Sequence, residues 1–435
     1  MSRIQQSAQG RTPLSQRPTI DVAGGSDVAA LAIDMPARLA EIDEVRLRTD
    51  RLAKLRGELV RNNYGAALLS DPLNIRYATG ARNMSVWTLH APGRYVFVAV
   101  DGPVVLFEYG TSRHLSEALE TVDELRTSVP WFYFMAGART DEKTALWARD
   151  IIDLMRKYGG SDMRLAVDRC EPWGARLLID AGIQLFNAQK PIEDAHLIKT
   201  TEEIQCLQLS IDVCDVAIDR MRQALRPGIT ENQLWAVLHE TNIAHDGEWI
   251  ECRLLSSGPR TNPWFSESSN RVIEAGDMVG FDSDMIGPMG YLADISRSWV
   301  CPGKAATPEQ LKLYEIAQEQ VLTNIDLIKP GMTFREFSDR CWHVPDAFVP
   351  NRYMMMIHGA GFVDEFPTIA YASDYADWGY DGVFEENMVL CIESYIGEVG
   401  GNEGVKLEEQ VLLTAGGAVS MSSAPLVGGL EPWLT

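Results

Sequence analysis

The chain has 435 residues, of which 46% are hydrophobic and 23% charged, enough for two domains with sizeable cores and an ordinary globular balance. Its formal net charge of −22 repels phosphate backbones, so nucleic acid is excluded as a partner; the surplus acid reads first as a solubility feature. No run approaches the ~20 apolar residues a membrane helix needs, and the opening stretch has no apolar h-region, so neither membrane insertion nor a signal peptide is expected. Residues 1–40, rich in Gln, Ser, Gly and Pro, read as an N-terminal arm. "IDEVRLRTDRLAKLRGELVRN" (42–62) has its apolar residues at helical spacing. "YGAALLSDPLNIRYATG" (64–80) reads as a strand, a polar turn and a second short strand. "RYVFVAVDGPVVLFEYG" (94–110) predicts a hairpin with Asp101 and Gly102 at its turn. "DEKTALWARDIIDLMRKYG" (141–159) predicts a helix ended by Gly159, and "RLAVDR" (164–169) a strand. This alternation defines an α/β domain over residues 41–195.

"HLIKTTEEIQCLQLSIDVCDVAIDRMRQALRPG" opens the second part, with Thr200 or Thr201 as helix cap and Pro227-Gly228 as its stop. A weak repeat follows. "LRPGITENQLW" (225–235) matches "IKPGMTFREFS" (328–338), and "IEAGDMVGFDSD" (273–284) matches "FEENMVLCIES" (384–394). A spacing of about 100 residues predicts a pseudo-symmetric domain over 196–435 with a site between its halves. The seven cysteines are scattered and form no CxxC pair, which fits a reducing, cytoplasmic setting.

Acids gather at the ends of apolar runs. Asp282 and Asp284 sit two apart in a strand pattern, which puts both carboxylates on one side. Gly287 to Gly290 reads as a turn, and Asp294 lies in the returning run. Bare carboxylates this close repel, and a cation resolves the conflict. Glu393 ends "MVLCIES", Glu408 lies at a core edge in "GVKLEEQVLLT", and His358 follows the apolar run "YMMMI". A solvated strand end or a satisfied core histidine explains each one singly. Together, carboxylates with one imidazole suit Mn, Fe, Co or Zn, often as a two-metal site.

These motifs resemble the pita-bread metallopeptidase family: methionine aminopeptidase, prolidase, aminopeptidase P and their non-peptidase relative creatinase. "DISRS" (294–298) is similar to the family's second-Asp motif, "HGAG" (358–361) to its His motif and "GVKLEEQVL" (404–412) to its last-Glu motif. "IKTTEEIQCLQLSIDVCD" (198–215) and "LRPGITE" (225–231) also resemble it. "LLSDPLNIRYATG" (68–80) resembles the smaller domain of creatinase and prolidase. The resemblance covers nearly everything after residue 45. It implies an α/β (α+β) chain: a creatinase-like N-terminal domain followed by a pseudo-symmetric pita-bread catalytic domain.

Three departures matter. Where the family has one Asp, eleven residues before the "DIS" Asp, this chain has Ser283 flanked by Asp282 and Asp284. The family's loop HGxGxxxHExP is one residue shorter here, "HGAGFVDEFP" (358–367). With Glu365 and Pro367 aligned, Asp364 stands where the second His would be. A further family His, before the first metal strand, is absent from "SSGPRTNPWFSESSN" (256–270), and Trp264 lies about there. An anionic carboxylate stabilises an oxyanion poorly but serves well as a general base. The pattern resembles one branch, the DddP-type dimethylsulfoniopropionate (DMSP) lyases, which release dimethyl sulfide and acrylate.

That resemblance implies Asp282, Asp284, Asp294, His358, Glu393 and Glu408 as ligands of a divalent transition metal. Iron is the metal implied, at one or two ions per subunit, with Mn, Zn and Co as alternatives. It implies Asp364 as base, a zwitterionic small-molecule substrate and a homodimer. Aromatic faces would hold the sulfonium; Tyr353 and Trp264 are the candidates, with Trp87 and "VPWFYF" (129–134) behind them. Two other readings stand at this point: a metal-dependent Xaa-Pro peptidase or creatinase-like hydrolase, and a fold retained as a binding module.

Overall fold

The computed structural model describes residues 33–426. Residues 1–32 of the proposed arm lie outside them. The described remainder of the arm contains a short helix, Met35–Leu39, capped by Asp34; Arg38 pairs with Asp212 at 2.7 Å. The described residues fall into two units, Asp43–His196 and 197–426, the latter joined by 33–42.

The Asp43–His196 unit is built on a mixed six-stranded sheet. Its strands are β1 (Ala66–Leu69), β2 (Tyr95–Ala99), β3 (Val104–Glu108), β4 (Glu124–Thr127), β5 (Arg164–Val167) and β6 (Gln184–Asn187), in the order β4-β3-β2-β1-β5-β6. β2 and β3 form the expected hairpin, with Val98 opposite Val104. Helix α1 (Glu44–Arg61) buries Leu47, Leu52, Leu55 and Leu59 on one face. One expectation fails. The second short strand is a helix, α2 (Pro72–Thr79): the Asp71 side chain caps it, Pro72 fills its first turn and Gly80 ends it at φ 79°. An Asp cap, an N1 proline and a left-handed glycine are the normal helix-boundary chemistry. Helix α3 (Thr140–Tyr158) ends at Gly159 as expected, and its Trp147 stacks on Trp131 in the core, ring centroids 4.2 Å apart.

The second unit opens with α4 (Thr201–Ala224). Thr200 accepts from Glu203 N, and the Glu203 side chain returns the bond to the cap, a complete capping box. The two sequence repeats take matching forms. Thr230 caps α5 (Glu231–Ala244), and Gly228 N donates to Ile273 O. Thr333 caps a helix at Phe334–Arg340, and Gly331 N donates to Phe384 O. Each Thr also bridges the segment leading into its strand, Thr230 to Val272 and Thr333 to Val383. Between the two repeats runs α6 (Pro308–Leu327).

Three sheets make the centre. The small ones are β7 (Trp249–Ile250) with β10 (Met285–Ile286) and β11 (Leu292–Ala293), and β8 (Leu255–Ser257) with β9 (Met278–Asp282) and β12 (Ser296–Val300). The large one holds β13 (Ile357–Ala360), β14 (Asp364–Ile369), β15 (Val389–Ile396), β16 (Val405–Thr414) and β17 (Gly417–Ser420), ordered β14-β13-β15-β16-β17. α6 packs Leu313, Ala317 and Val321 against the β15–β16 face. β12 lies against β16, with Ser298 Oγ donating to Lys406 O and accepting from Lys406 N. That junction brings acids from two sheets face to face. Among the described residues no helix is long and apolar enough to cross a membrane.

Candidate metal centre

The β9–β12 hairpin delivers three carboxylates. Asp282 ends β9, opposite Ser296. The regular strand expected through Asp284 breaks there, because Asp284 adopts φ 35°. Ser283 staples the break: its Oγ donates to Ala293 O at 2.8 Å and accepts from Ile295 N at 2.9 Å. The kink still brings the side chains together. Asp282, Asp284 and Asp294 each offer an oxygen within 4.8 Å of one another. Asp294 is set from the other sheet, its N–H donating to Gln410 Oε1 at 2.9 Å.

The large sheet supplies the rest. Glu393 lies directly opposite Glu408, and His358 opposite Cys391. Glu408 is not at a core edge but wholly buried. His358 Nε2 is 3.4 Å from Glu393 Oε1, 3.4 Å from Glu408 Oε1 and 3.6 Å from Asp294 Oδ2. All six sequence-predicted ligand residues are therefore brought together. Cys391, not anticipated, also puts its Sγ within 4.8 Å of ligand atoms of Asp294, His358 and Glu408.

The residues fit a metal ion. Among the described residues the buried Glu408 Oε1 makes no well-formed hydrogen bond, its near neighbour being His358 Nε2 at 3.4 Å, an arrangement that a bound cation would complete. Five carboxylates and one imidazole are the donor set of Mn, Fe, Co and Zn. The electrostatics agree. Burial, then Asp284 and Glu408, pushes Asp294 well up; burial outweighs Lys406 to raise Asp282. Burial and Asp364 push Asp284 up to about 7. Burial would raise Glu408 too, but Lys406 and His358 outweigh it and hold it well down.

A pH dependence follows. A metal must displace the protons these acids hold, so affinity should rise with pH through about 7, the Asp284 value. Calorimetry in buffers of differing ionisation enthalpy should show more protons released per ion at pH 6 than at pH 8. In the metal-free protein the sign is opposite for stability. A carboxyl raised in the folded state holds its proton more tightly folded than unfolded, so stability falls as pH climbs from the ordinary 3.8 toward 7. Metal-free wild type should therefore lose more stability over that window than metal-free Asp284→Asn, and an equal change in both would contradict the raised Asp284.

Asp364 begins β14 at the rim. Its side chain is 60% exposed, with Oδ1 3.5 Å from His358 Nδ1. Its neighbour Glu365 points the other way. Glu365 is buried, pairs with Lys199 at 2.7 Å and accepts from Phe362 N at 2.9 Å. Gly361 is required by that pair, since an added Cβ would collide with the Glu365 carboxylate. Tyr353 is half-buried, its ring 5.4 Å from the exposed Phe265. Trp264 is buried, and its indole N–H has no hydrogen-bond partner among the described residues. Trp87 and residues 129–134 belong to the Asp43–His196 unit.

Besides Cys391, a second functional-looking residue was missed in the sequence. Lys406 is fully buried among the acids, donating to Ser296 Oγ and Glu393 Oε2 at 2.7 Å and to Glu408 Oε2 at 3.0 Å. Asp282 Oδ2 is 3.1 Å away. The available signal was its position two residues before Glu408 on one strand, hence on the same face.

Residues 205–415 match metallopeptidase family M24, and residues 51–195 match the creatinase/prolidase N-terminal domain. The dimethylsulfoniopropionate lyase DddP of Roseovarius nubinhibens is 39% identical over 394 residues, covering 89% of this chain and 88% of that protein. The protein of that name from Roseobacter denitrificans is 36% identical over 395 residues, covering 89% and 88%. Among solved structures, the dipeptidase PepE from Mycobacterium ulcerans superposes with a TM-score of 0.69 at 21% identity, over 88% of this chain and 97% of that one. An Xaa-Pro dipeptidase from Bacillus anthracis gives 0.68 at 20%, over 87% and 98%. At such identities the structural likeness speaks for the fold alone.

Proposed function

The chain belongs to metallopeptidase family M24, with a creatinase-like N-terminal domain, and from that premise we propose that it is a lyase cleaving dimethylsulfoniopropionate to dimethyl sulfide and acrylate. The observation that carries the reading is Asp364. It is an open carboxylate on the rim of a buried acid–imidazole cluster, where the family pattern calls for a second imidazole. Similarity to two DMSP lyases over most of the chain supports it.

The proposed ligands are Asp282, Asp284, Asp294, His358, Glu393 and Glu408, with iron the metal favoured by the lyase resemblance. Bound there, a transition metal supplies Lewis-acid polarisation of the substrate carboxylate. Asp364 takes a proton from the carbon beside that carboxylate. The electron pair left behind forms the double bond of acrylate, the Cβ–S bond breaks, and dimethyl sulfide leaves as a neutral molecule. Glu365 cannot exchange roles with Asp364, because Lys199 and Phe362 N hold its carboxylate inside the loop. Tyr353 and Trp264 are proposed to line the substrate side, where aromatic faces favour a sulfonium.

The rival reading is hydrolysis of Xaa-Pro dipeptides or creatine, and it shares the acid cluster. One preparation tests both. Purified, metal-loaded protein should cleave DMSP and leave an Xaa-Pro dipeptide and creatine at background; the reverse pattern would replace this proposal with the rival.

The proposed domains are residues 41–195 and 196–435, after an arm over 1–40. The seven free thiols favour the cytoplasm. A homodimer is proposed, as the creatinase resemblance implies. Light scattering should give about twice the chain mass at assay concentrations, and a monomer that retains full activity would rule the dimer out.

A further inference from the structure

We infer that Lys406 is a resident cation of the metal centre, a positioning residue that holds the outer oxygens of its acids so that their inner oxygens face the ion. The oxygens of the two glutamates divide cleanly. Glu393 Oε2 and Glu408 Oε2 accept from Lys406 Nζ. Glu393 Oε1 and Glu408 Oε1 turn instead to His358 Nε2, each at 3.4 Å. Asp282 is held on the same side, Oδ2 by Lys406 and Oδ1 2.7 Å from Ser296 Oγ. Ser296 Oγ accepts from Lys406 and lies 2.9 Å from Glu408 Oε2. One ammonium and one hydroxyl thus fix three acids that arrive from two sheets.

Two aromatic rings also lie near the ammonium. The Tyr353 ring centre is 4.7 Å and the Trp264 ring centre 6.0 Å from Nζ. These rings add cation–π attraction to the charge of the acids in holding the buried ammonium. Glu393 and Glu408 lie directly opposite on neighbouring strands, a like-charge pair that destabilises a sheet. Lys406 compensates that pair before any ion is present. On both glutamates it uses the outer oxygen, so there it does not compete with an ion for the inner one.

This inference rests on the proposed ligand set and not on the reaction, so its test involves no DMSP. Co(II) is the probe. It is titrated into metal-free wild-type, Lys406→Met, Lys406→Arg and Lys406→Gln proteins against a chromophoric chelator, after circular dichroism has shown each to be folded. Lys406→Met should bind Co(II) about 10–100-fold more weakly, the scale for losing an outer partner of a ligand, and its visible d–d bands should shift. Lys406→Arg should restore both the affinity and the spectrum. Lys406→Gln, which keeps a donor without the charge, should fall between and substitutes if the Met variant does not fold. Unchanged or tighter Co(II) binding with an unchanged spectrum in the Met or Gln variant would overturn the inference. A His358→Ala protein that binds Co(II) like wild type would overturn the ligand set beneath it. Normal Co(II) behaviour in a protein inactive on DMSP would overturn only the proposed reaction.

Discussion

Asp364→Asn should lower turnover of DMSP by about 10²–10⁴-fold, the range for losing a positioned general base, while leaving metal content at the wild-type level. Asparagine keeps the size and the hydrogen-bonding shape but has no basic oxygen anion. The side chain is largely exposed and, among the described residues, has only His358 within ion-pair range, so the substitution removes little packing. Asp364→His is the sharper companion. It restores the family's residue type, so DMSP cleavage should collapse, whereas a hydrolase would keep or gain amide-cleaving activity. An Asp364→Asn protein that cleaves DMSP at the wild-type rate with its metal intact would remove Asp364 from the mechanism. Glu365→Gln is a poor substitute test, because it breaks a buried pair with Lys199 and disturbs the loop itself.

His358→Ala and Asp294→Ala should lose metal and activity together. His358 Nε2 sits among three carboxylate oxygens at 3.4–3.6 Å. Its removal leaves like charges facing one another without an imidazole. Metal affinity should fall by more than the ~100-fold upper range for an outer partner, and DMSP turnover should drop to background. Elemental analysis alongside circular dichroism separates metal loss from unfolding. Full activity in a metal-stripped wild-type sample would contradict the site assignment more broadly than either variant.

Much of this was legible in the sequence because local chemistry and tertiary structure agree. Thr200 with Glu203 announced the start of α4, and Asp101-Gly102 announced the β2–β3 hairpin. The Pro-Gly-x-Thr repeats announced two matching helix–strand units whose bridges recur at Thr230 and Thr333. The stretch 72–79 was misread because its apolar residues suggested a strand, although Asp71, Pro72 and Gly80 carried the helix boundaries. The acids were legible as a set because each ends or interrupts an apolar run. Their exact kinks were not, since a left-handed Asp284 depends on Ser283 stapling the facing strand. Lys406 was missed for a different reason. A lysine between Val405 and Leu407 reads as a solvated edge; Glu408 two residues on is the local hint, but Asp282, Ser296 and Glu393, which also hold the ammonium, are distant in sequence.

Proton NMR of the reaction itself separates elimination on DMSP from every alternative outcome. Purified, metal-loaded protein and DMSP are sealed in one tube and followed over time. The vinyl signals of acrylate and the methyl signal of dimethyl sulfide should grow in equal amounts as DMSP disappears, with no 3-hydroxypropionate. DMSP that persists unchanged beside metal-loaded protein, or that yields 3-hydroxypropionate in place of acrylate, would contradict the elimination.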